Sequence, residues 1–222
     1  MSLIELRGIE KTFGKDDNKV EALRGIDLKV EEGDMLAIMG PSGSGKSTLL
    51  NIIGLLDKVS KGEYYFEGKD VKTLKDKESS SFRNKYIGFV VQNFALVEDY
   101  TIYKNISLPL DYVKISSKEK KERIRDLLKL MGIEDKEKKL PKELSGGQNQ
   151  RAAIARALVN DPKIILADEP TGALDRKNGQ DVMKLFRKLN KAGKTIIVIT
   201  HDEEVASMCN KTIYIEDGKI KG

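Results

Sequence analysis

The chain has 222 residues, 39% hydrophobic and 34% charged, and a formal net charge of +5 from 40 basic and 35 acidic side chains. That length suits one large domain with its own core, and no apolar run approaches the ~18–20 residues that cross a bilayer, so transport through a helical pore of this chain alone is excluded. The single cysteine, Cys209, permits no internal disulfide and fits a reducing cytosol, and the N-terminal Met-Ser-Leu-Ile-Glu lacks the basic-then-apolar profile of a secretion signal.

Residues 3–9 and 23–30 alternate apolar and polar positions with period two and read as half-buried strands. Between them Phe13 precedes a polar loop, residues 14–19; an aromatic there fits either a stack on a nucleotide base or the core. Met35–Met39 is an apolar run of buried-strand type. It leads directly into Gly40-Pro41-Ser42-Gly43-Ser44-Gly45-Lys46-Ser47-Thr48, which fits G-x-x-x-x-G-K-[ST]. Leu49, Leu50, Ile52 and Ile53 then read as the inner side of a helix. Strand, glycine loop, helix is the context in which this pattern binds phosphate. Glycines let the backbone wrap the oxygens, and N–H groups at the helix start point at negative charge. Lys46 would reach the β- and γ-phosphates, and the Ser47 hydroxyl would ligate Mg2+. By chance the four fixed positions arise in roughly one chain in a hundred or fewer.

Residues 63–68 read as a strand and turn, and Ile87–Val91 as a buried strand ending at Gln92. From about 93 to 150 the composition turns helical and charged, as for an inserted helical subdomain. Its best helix has Ser116 as N-cap with Glu119 completing a capping box, an apolar stripe of Ile124, Leu127, Leu128 and Met131, and Gly132 at the end. Residues 114–143 hold eleven basic and seven acidic side chains. Such a face could meet anionic lipid or a protein partner, but a solvated helix surface is the better account of it. Residues 164–167 read as a strand covered on both faces, 182–189 as a helix and 196–199 as another buried strand. Ile213 to Ile215 and Ile220 flank the hairpin signal Asp217-Gly218. The sum is an α/β chain with a mostly parallel sheet, an antiparallel edge and a helical insert.

The chemistry clusters after the buried strands. Carboxyl ends of parallel strands are where ligands sit, and Asp168-Glu169 caps one of them. Asp168 is placed as a Mg2+ partner through water, and Glu169 to polarise the water that attacks a γ-phosphate. His201, the only histidine, follows the strand at 196–200 and is placed to contact that phosphate. Gln92 could help ligate Mg2+ or hold the attacking water. Leu144-Ser145-Gly146-Gly147-Gln148 is a second Ser/Gly turn before a helical stretch. It is either a plain helix cap or a second anion cradle. Lacking its own lysine, such a cradle suggests a nucleotide held by another copy of the chain.

Together these residues resemble the ATP-binding cassette (ABC) ATPase family over nearly the whole chain. The phosphate loop, Gln92, the 144–148 signature, Asp168-Glu169, Ala173-Leu174-Asp175 and His201 occur in the family's order and at its separations. The resemblance implies the P-loop NTPase fold of ABC ATPases as a single domain: a core of about 1–92 and 151–222 with an antiparallel β subdomain, and a helical subdomain of about 93–150. It implies ATP and Mg2+, with Gly40, Ser42, Gly43, Ser44, Gly45, Lys46, Ser47 and Thr48 around the phosphates and Ser47, Gln92 and Asp168 toward the metal. Glu169 becomes the catalytic base, acting with Gln92 and with His201 as the switch histidine. Phe13 falls where the family places its adenine-stacking aromatic, commonly a tyrosine. Asp175 lies in the loop that communicates across a dimer, and Asn149 has no assigned role.

Family members form head-to-tail homodimers with two ATPs sandwiched between the subunits, so Ser145, Gly146, Gly147 and Gln148 would act in trans. The dimer would drive a separate membrane permease docked near Gln92 and the helical insert. That implies a cytoplasmic protein, peripheral on the inner face of the membrane, with no nucleic-acid partner. Residues 51–57, 87–92 and 167–175 resemble the branch for lipoprotein release and for macrolide, bacteriocin or antimicrobial-peptide export. The rival is a soluble DNA-repair or translation ATPase of the same superfamily. Those usually carry a long coiled coil or a second cassette, whereas here about 100 residues separate the two loops. A purely regulatory nucleotide module conflicts with the presence of Glu169 and His201.

Overall fold

A computed structural model describes residues 2–14 and 18–221. In chain order the elements are β1 (Ser2–Phe13), β2 (Val20–Glu31), β3 (Met35–Met39), α1 (Lys46–Ile53), β4 (Lys61–Phe66), β5 (Lys69–Asp70), α2 (Asp76–Tyr86), β6 (Ile87–Val91), α3 (Ile102–Ser107), α4 (Ser117–Met131), α5 (Gly146–Leu158), β7 (Ile164–Asp168), α6 (Arg176–Lys191), β8 (Thr195–Ile199), α7 (Glu203–Ser207), β9 (Lys211–Glu216) and β10 (Lys219–Lys221). Strands β2-β1-β4-β5 form an antiparallel sheet. Strands β10-β9-β3-β8-β7-β6 form a second sheet, parallel except for the β9–β10 hairpin at its edge. This is the α/β architecture with an antiparallel subdomain and a helical insert.

The six-stranded sheet is a wall between two cores, and strand periodicity sorts side chains to either side. Leu36, Ile38, Ile164, Leu166, Ile197 and Ile199 face one core, with α1 and the inner face of the antiparallel sheet (Ile26, Leu28, Val30). Met35, Ile165, Ala167, Ile196 and Val198 face the other, with residues of α3, α4, α5 and α6. Both faces are covered, which is why these strands read as unbroken apolar runs. Each such Ile or Leu contributes about 1.5–3 kcal/mol by leaving water.

Several elements depart from the sequence reading. Strand β1 runs on to Phe13, which pairs with Val20 instead of opening a loop, and its ring is 43% exposed. That removes the core alternative for Phe13. Helix α2 carries no fully buried residue and sets only Phe82 and Tyr86 against the core, too short an apolar stripe to betray it. Helix α7 spans only five residues behind its cap Asp202. In α4 Ser116 accepts from the Glu119 N–H at 3.1 Å, but the Glu119 carboxylate turns to Arg123 at 2.7 Å, so half of the capping box forms. In the charged run from 114 to 143, six of the eleven basic side chains are paired within the fold: Lys118, Lys120, Arg123, Arg125, Lys136 and Lys139. Lys120 and then Lys104 hold the Asp111 carboxyl below the usual range, and Arg125 meets Glu137 while Lys139 meets Glu143.

Helix α5 crosses the break expected at 150/151. Its Ala152, Ala155 and Leu158 share a core with Ile106 and Ile124 of the insert and with Val90 and Ile165 of the sheet. The helix reaches β6 because position 88 is glycine: a Cβ there would sit 2.5 Å from the Ala157 carbonyl oxygen. Gly88→Ala is therefore expected to cost about 1–3 kcal/mol through overpacking, read as a lower urea midpoint with an unchanged slope. An unchanged midpoint would show that α5 has room to recede.

Candidate active site

Strands β3, β8, β7 and β6 lie side by side and parallel, so their carboxyl ends open on one edge. From those ends run, in that order, the glycine loop, His201, Asp168-Glu169 and Gln92. Residues far apart in sequence are neighbours there because of strand order alone.

Gly40, Gly43 and Gly45 take φ values of 143°, 78° and 103°, which favour glycine. The loop is also wedged between strands. A Cβ at Gly40 would lie 2.0 Å from the Ile215 carbonyl oxygen, and one at Gly45 2.5 Å from that of Ala22. Helix α1 opens on the left-handed Gly45 with no side-chain cap and no acidic residue in its first turn. By contrast Thr101, Ser116, Ser145, Asp175 and Asp202 cap α3, α4, α5, α6 and α7. The opening N–H groups of α1 are thus left to an anion. The Ser44 hydroxyl is buried with no hydrogen-bond partner among the described residues, while Ser42 is exposed and Thr48 half-buried. The Lys46 ammonium donates to the carbonyls of Gly40 and Pro41 at 2.8 and 2.7 Å, folded over the loop mouth. An orphaned hydroxyl, free donors and a fixed cation fit a polyphosphate.

The Asp168 carboxylate at the end of β7 lies within electrostatic reach of the Ser47 hydroxyl at the start of α1. Burial pushes the Asp168 carboxyl up, the Ser47 hydroxyl pulls it down, and Glu169 and Lys46 add smaller opposing pushes; the net direction is upward. Glu169 leaves the pleat at φ 46°, its N–H donating to the Ile199 carbonyl at 3.0 Å. A left-handed glutamate is uncommon. Here it places Oε1 2.7 Å from His201 Nδ1. Glu169 is mostly covered and His201 open to solvent. Gln92 reaches across to the loop after Glu169: a Cβ on Gly172 would lie 2.7 Å from its Nε2.

The second Ser/Gly turn packs against the loop that follows Glu169. Ser145 accepts from the Gln148 N–H at 3.3 Å, and Gln148 Oε1 accepts from the Ser145 N–H at 3.0 Å. The plain helix cap is therefore formed within one chain. No hydrogen bond joins residues 145–148 to the phosphate loop among the described residues. Gly146 packs against Leu174, and a Cβ on Gly147 would lie 2.5 Å from Asn178 Oδ1. Asn178 in turn donates through its backbone N–H and side chain to Asp175, which holds that carboxyl low. Asn149 ties α5 to the Pro141 carbonyl at 3.0 Å, a structural bond.

Two supporting residues carried no signal in the sequence. Gln150 is fully buried and donates to the Pro170 carbonyl, bracing the loop that follows Glu169. Arg156 donates to the carbonyls of Phe94 and Ala95, two left-handed residues just beyond Gln92. Both lie in an alanine-rich helix, and their partners are set only by the tertiary fold.

The family model described as ABC transporter matches residues 23–172. The bacitracin export ATP-binding protein BceA of Halalkalibacterium halodurans is 45% identical over 221 residues, 99% of this chain and 87% of that protein. The macrolide export ATP-binding/permease protein MacB of Mannheimia succiniciproducens is 46% identical over 220 residues, 99% of this chain but only 34% of that longer protein. A dimeric structure of the ATP-binding cassette MJ0796, in a post-hydrolysis state bound to ADP and Pi, superposes with a TM-score of 0.90 at 44% identity, covering 99% of this chain and 97% of that one.

A carboxylate whose pKa is raised by folding costs stability above that pKa and costs nothing once the unfolded chain is also protonated. Asp168→Asn is therefore expected to raise the melting temperature of the nucleotide-free protein by about 2 °C near neutral pH, the gain vanishing in acid, while turnover is lost. A melting temperature that does not rise would mean that Ser47 and Lys46 already offset the burial.

Proposed function

The chain belongs to the ABC transporter family, and from that membership we propose how its site works and what it serves. It is the ATP-hydrolysing subunit of a transporter. One observation carries the reading: an uncapped helix start, the neighbouring Ser47 and Asp168 and the Glu169–His201 pair share one sheet edge. Lys46 and the N–H groups of the glycine loop hold the phosphates. Ser47, Asp168 and Gln92 are the groups that would hold Mg2+, which when bound neutralises charge on the β- and γ-oxygens. Glu169 orients water toward the γ-phosphate and takes its proton. His201 holds the Glu169 carboxylate at Oε1 and presents its other nitrogen to the phosphate. Phe13, exposed at the end of β1, is the platform for adenine.

Ser145, Gly146, Gly147 and Gln148 act on the nucleotide of a second copy, in a head-to-tail homodimer with ATP between the subunits. The absence of any hydrogen bond from them to the phosphate loop of their own chain, among the described residues, supports this, as does the similarity to the dimeric MJ0796 cassette. Asp175, linked through Asn178 to the signature helix, sits at the same interface.

The permease docks in a groove of about 790 Å³ between α2, β6 and α5, lined by Leu56, Phe89, Pro109, Tyr112 and Ala157. Arg156 lines the groove and also holds the turn after Gln92, giving docking a direct mechanical route to the site. No helix among the described residues is long and apolar enough to cross a membrane, so attachment to its inner face runs through the permease. The cargo is an exported peptide or drug or a released lipoprotein; similarity to a bacitracin export protein and a macrolide export protein supports the export part of this reading. The same relatives favour a transporter over a soluble repair or translation ATPase.

Glu169→Gln is expected to lower turnover at least a hundredfold, to leave ATP binding intact and to yield an ATP-dependent dimer on size-exclusion chromatography. A variant that stays monomeric with saturating ATP and Mg2+ would sink the shared-site model. Lys46→Ala should weaken ATP binding tenfold or more, and unchanged affinity in a direct titration would remove the phosphate role.

A further inference from the structure

Helix α1 carries the phosphate loop at its start, and its other end leads toward the base platform. Beyond Gly54 the chain makes a tight turn in which the Leu56 and Asp57 N–H groups donate to the Asn51 carbonyl at 2.8 and 3.2 Å. From that turn the Asp57 carboxylate accepts a hydrogen bond from Lys11 at 2.6 Å, and the Lys58 carbonyl accepts another from the same ammonium at 2.7 Å. The turn is strapped to β1 on both sides of Lys11. The Ser60 N–H donates to the Glu10 carbonyl at 2.9 Å, and the Thr12 N–H to Ser60 Oγ at 3.0 Å. Thus held, the Lys11 ammonium stands over the Phe13 ring, 4.8 Å from its centroid.

A lysine with only 11% of its side chain exposed is costly to bury, and an apolar side chain would fill the stem's place at less cost. What the ammonium adds is a fixed cation on one face of an otherwise exposed aromatic ring. It holds the ring in one orientation and leaves the opposite face for a base. It also draws π density toward itself, so the free face is less negative and stacks better on an electron-rich purine. We infer that Lys11, clamped by Asp57, is a positioning residue for nucleotide recognition: it sets the Phe13 platform and fixes it at a distance from the phosphate loop defined by α1. The eight residues of α1 span about 12 Å. This inference rests on the reading of Phe13 as the adenine platform.

The test compares two ligands, ATP and inorganic tripolyphosphate, which shares the phosphates and has no base. Lys11→Met should raise the Kd for ATP about fivefold with tripolyphosphate affinity unchanged, and the kinetic loss should fall on KM and not on kcat. Asp57→Asn, which keeps the ammonium but loosens it, should shift ATP affinity the same way by a smaller factor. It serves as the test if Lys11→Met does not fold. Equal losses for both ligands would overturn the proposal, since a general charge or folding effect does not distinguish them. Phe13→Ala separates the two layers. If it weakens ATP binding while Lys11→Met and Asp57→Asn do not, the platform stands and the role of Lys11 falls. If Phe13→Ala leaves ATP affinity unchanged, the platform reading falls and the proposal with it.

Discussion

The first turn of α1 has donors and no acceptor of its own. A helix start must satisfy its N–H groups, and five other helices here do so with a serine, threonine or aspartate. At α1 the capping position is a left-handed glycine, and the loop before it is pinned against the carbonyls of Ile215 and Ala22. Glycine would ordinarily make such a loop loose. Packing from both sheets removes that freedom, so the donors are preorganised for the phosphate that the proposed function puts there. The rest of the molecule holds this cradle open and brings the reacting groups to it.

The sheet does the bringing. Because it separates two cores, its strands must be apolar on both faces, and polar residues are driven to the strand ends. Parallel order then puts four of those ends on one edge. The chemistry there is held at some expense to stability: Asp168 is partly desolvated, and Glu169 sits in a backbone region that suits glycine. The surrounding strands are buried enough to carry both. On the proposed reading of Phe13 the antiparallel sheet adds the base end of the site, since β1 ends at Phe13 while its partner β2 presses on Gly45.

What could be read in the sequence was whatever depends on neighbours along the chain. Buried strands showed as apolar runs, the hairpin as Asp217-Gly218, and the phosphate loop as glycines at fixed spacing between a strand and a helix. Helix α2 gave no sign because only its Phe82 and Tyr86 pack against the core, and α7 because five residues cannot show a period. Phe13 was ambiguous because exposure is a property of the fold and not of the residue. Glu119 had two hydrogen-bonding options a few positions apart, and the arginine won. Lys11, Gln150 and Arg156 were invisible for a stronger reason: their partners lie 46, 20 and about 60 positions away. Only the tertiary structure makes those pairs.

The two glycine turns also differ in a way that bears on turnover. At α5 the cap is already made, since Ser145 and Gln148 satisfy each other, so an incoming phosphate finds fewer free donors than at α1. The Ser145 hydroxyl accepts from Gln148 yet keeps its own proton to donate, and the N–H groups of Gly146 and Gly147 stay outside the box. In the proposed sandwich the partner's turn therefore grips the γ-phosphate less firmly than the loop beneath it. Gly147 is seated against Asn178, which is anchored to the cap of α6, so this weaker grip is nonetheless fixed in position. A rigid but modest second contact suits a closure that hydrolysis must undo. On this proposal the nucleotide stays with the chain whose loop holds it, and the partner can let go.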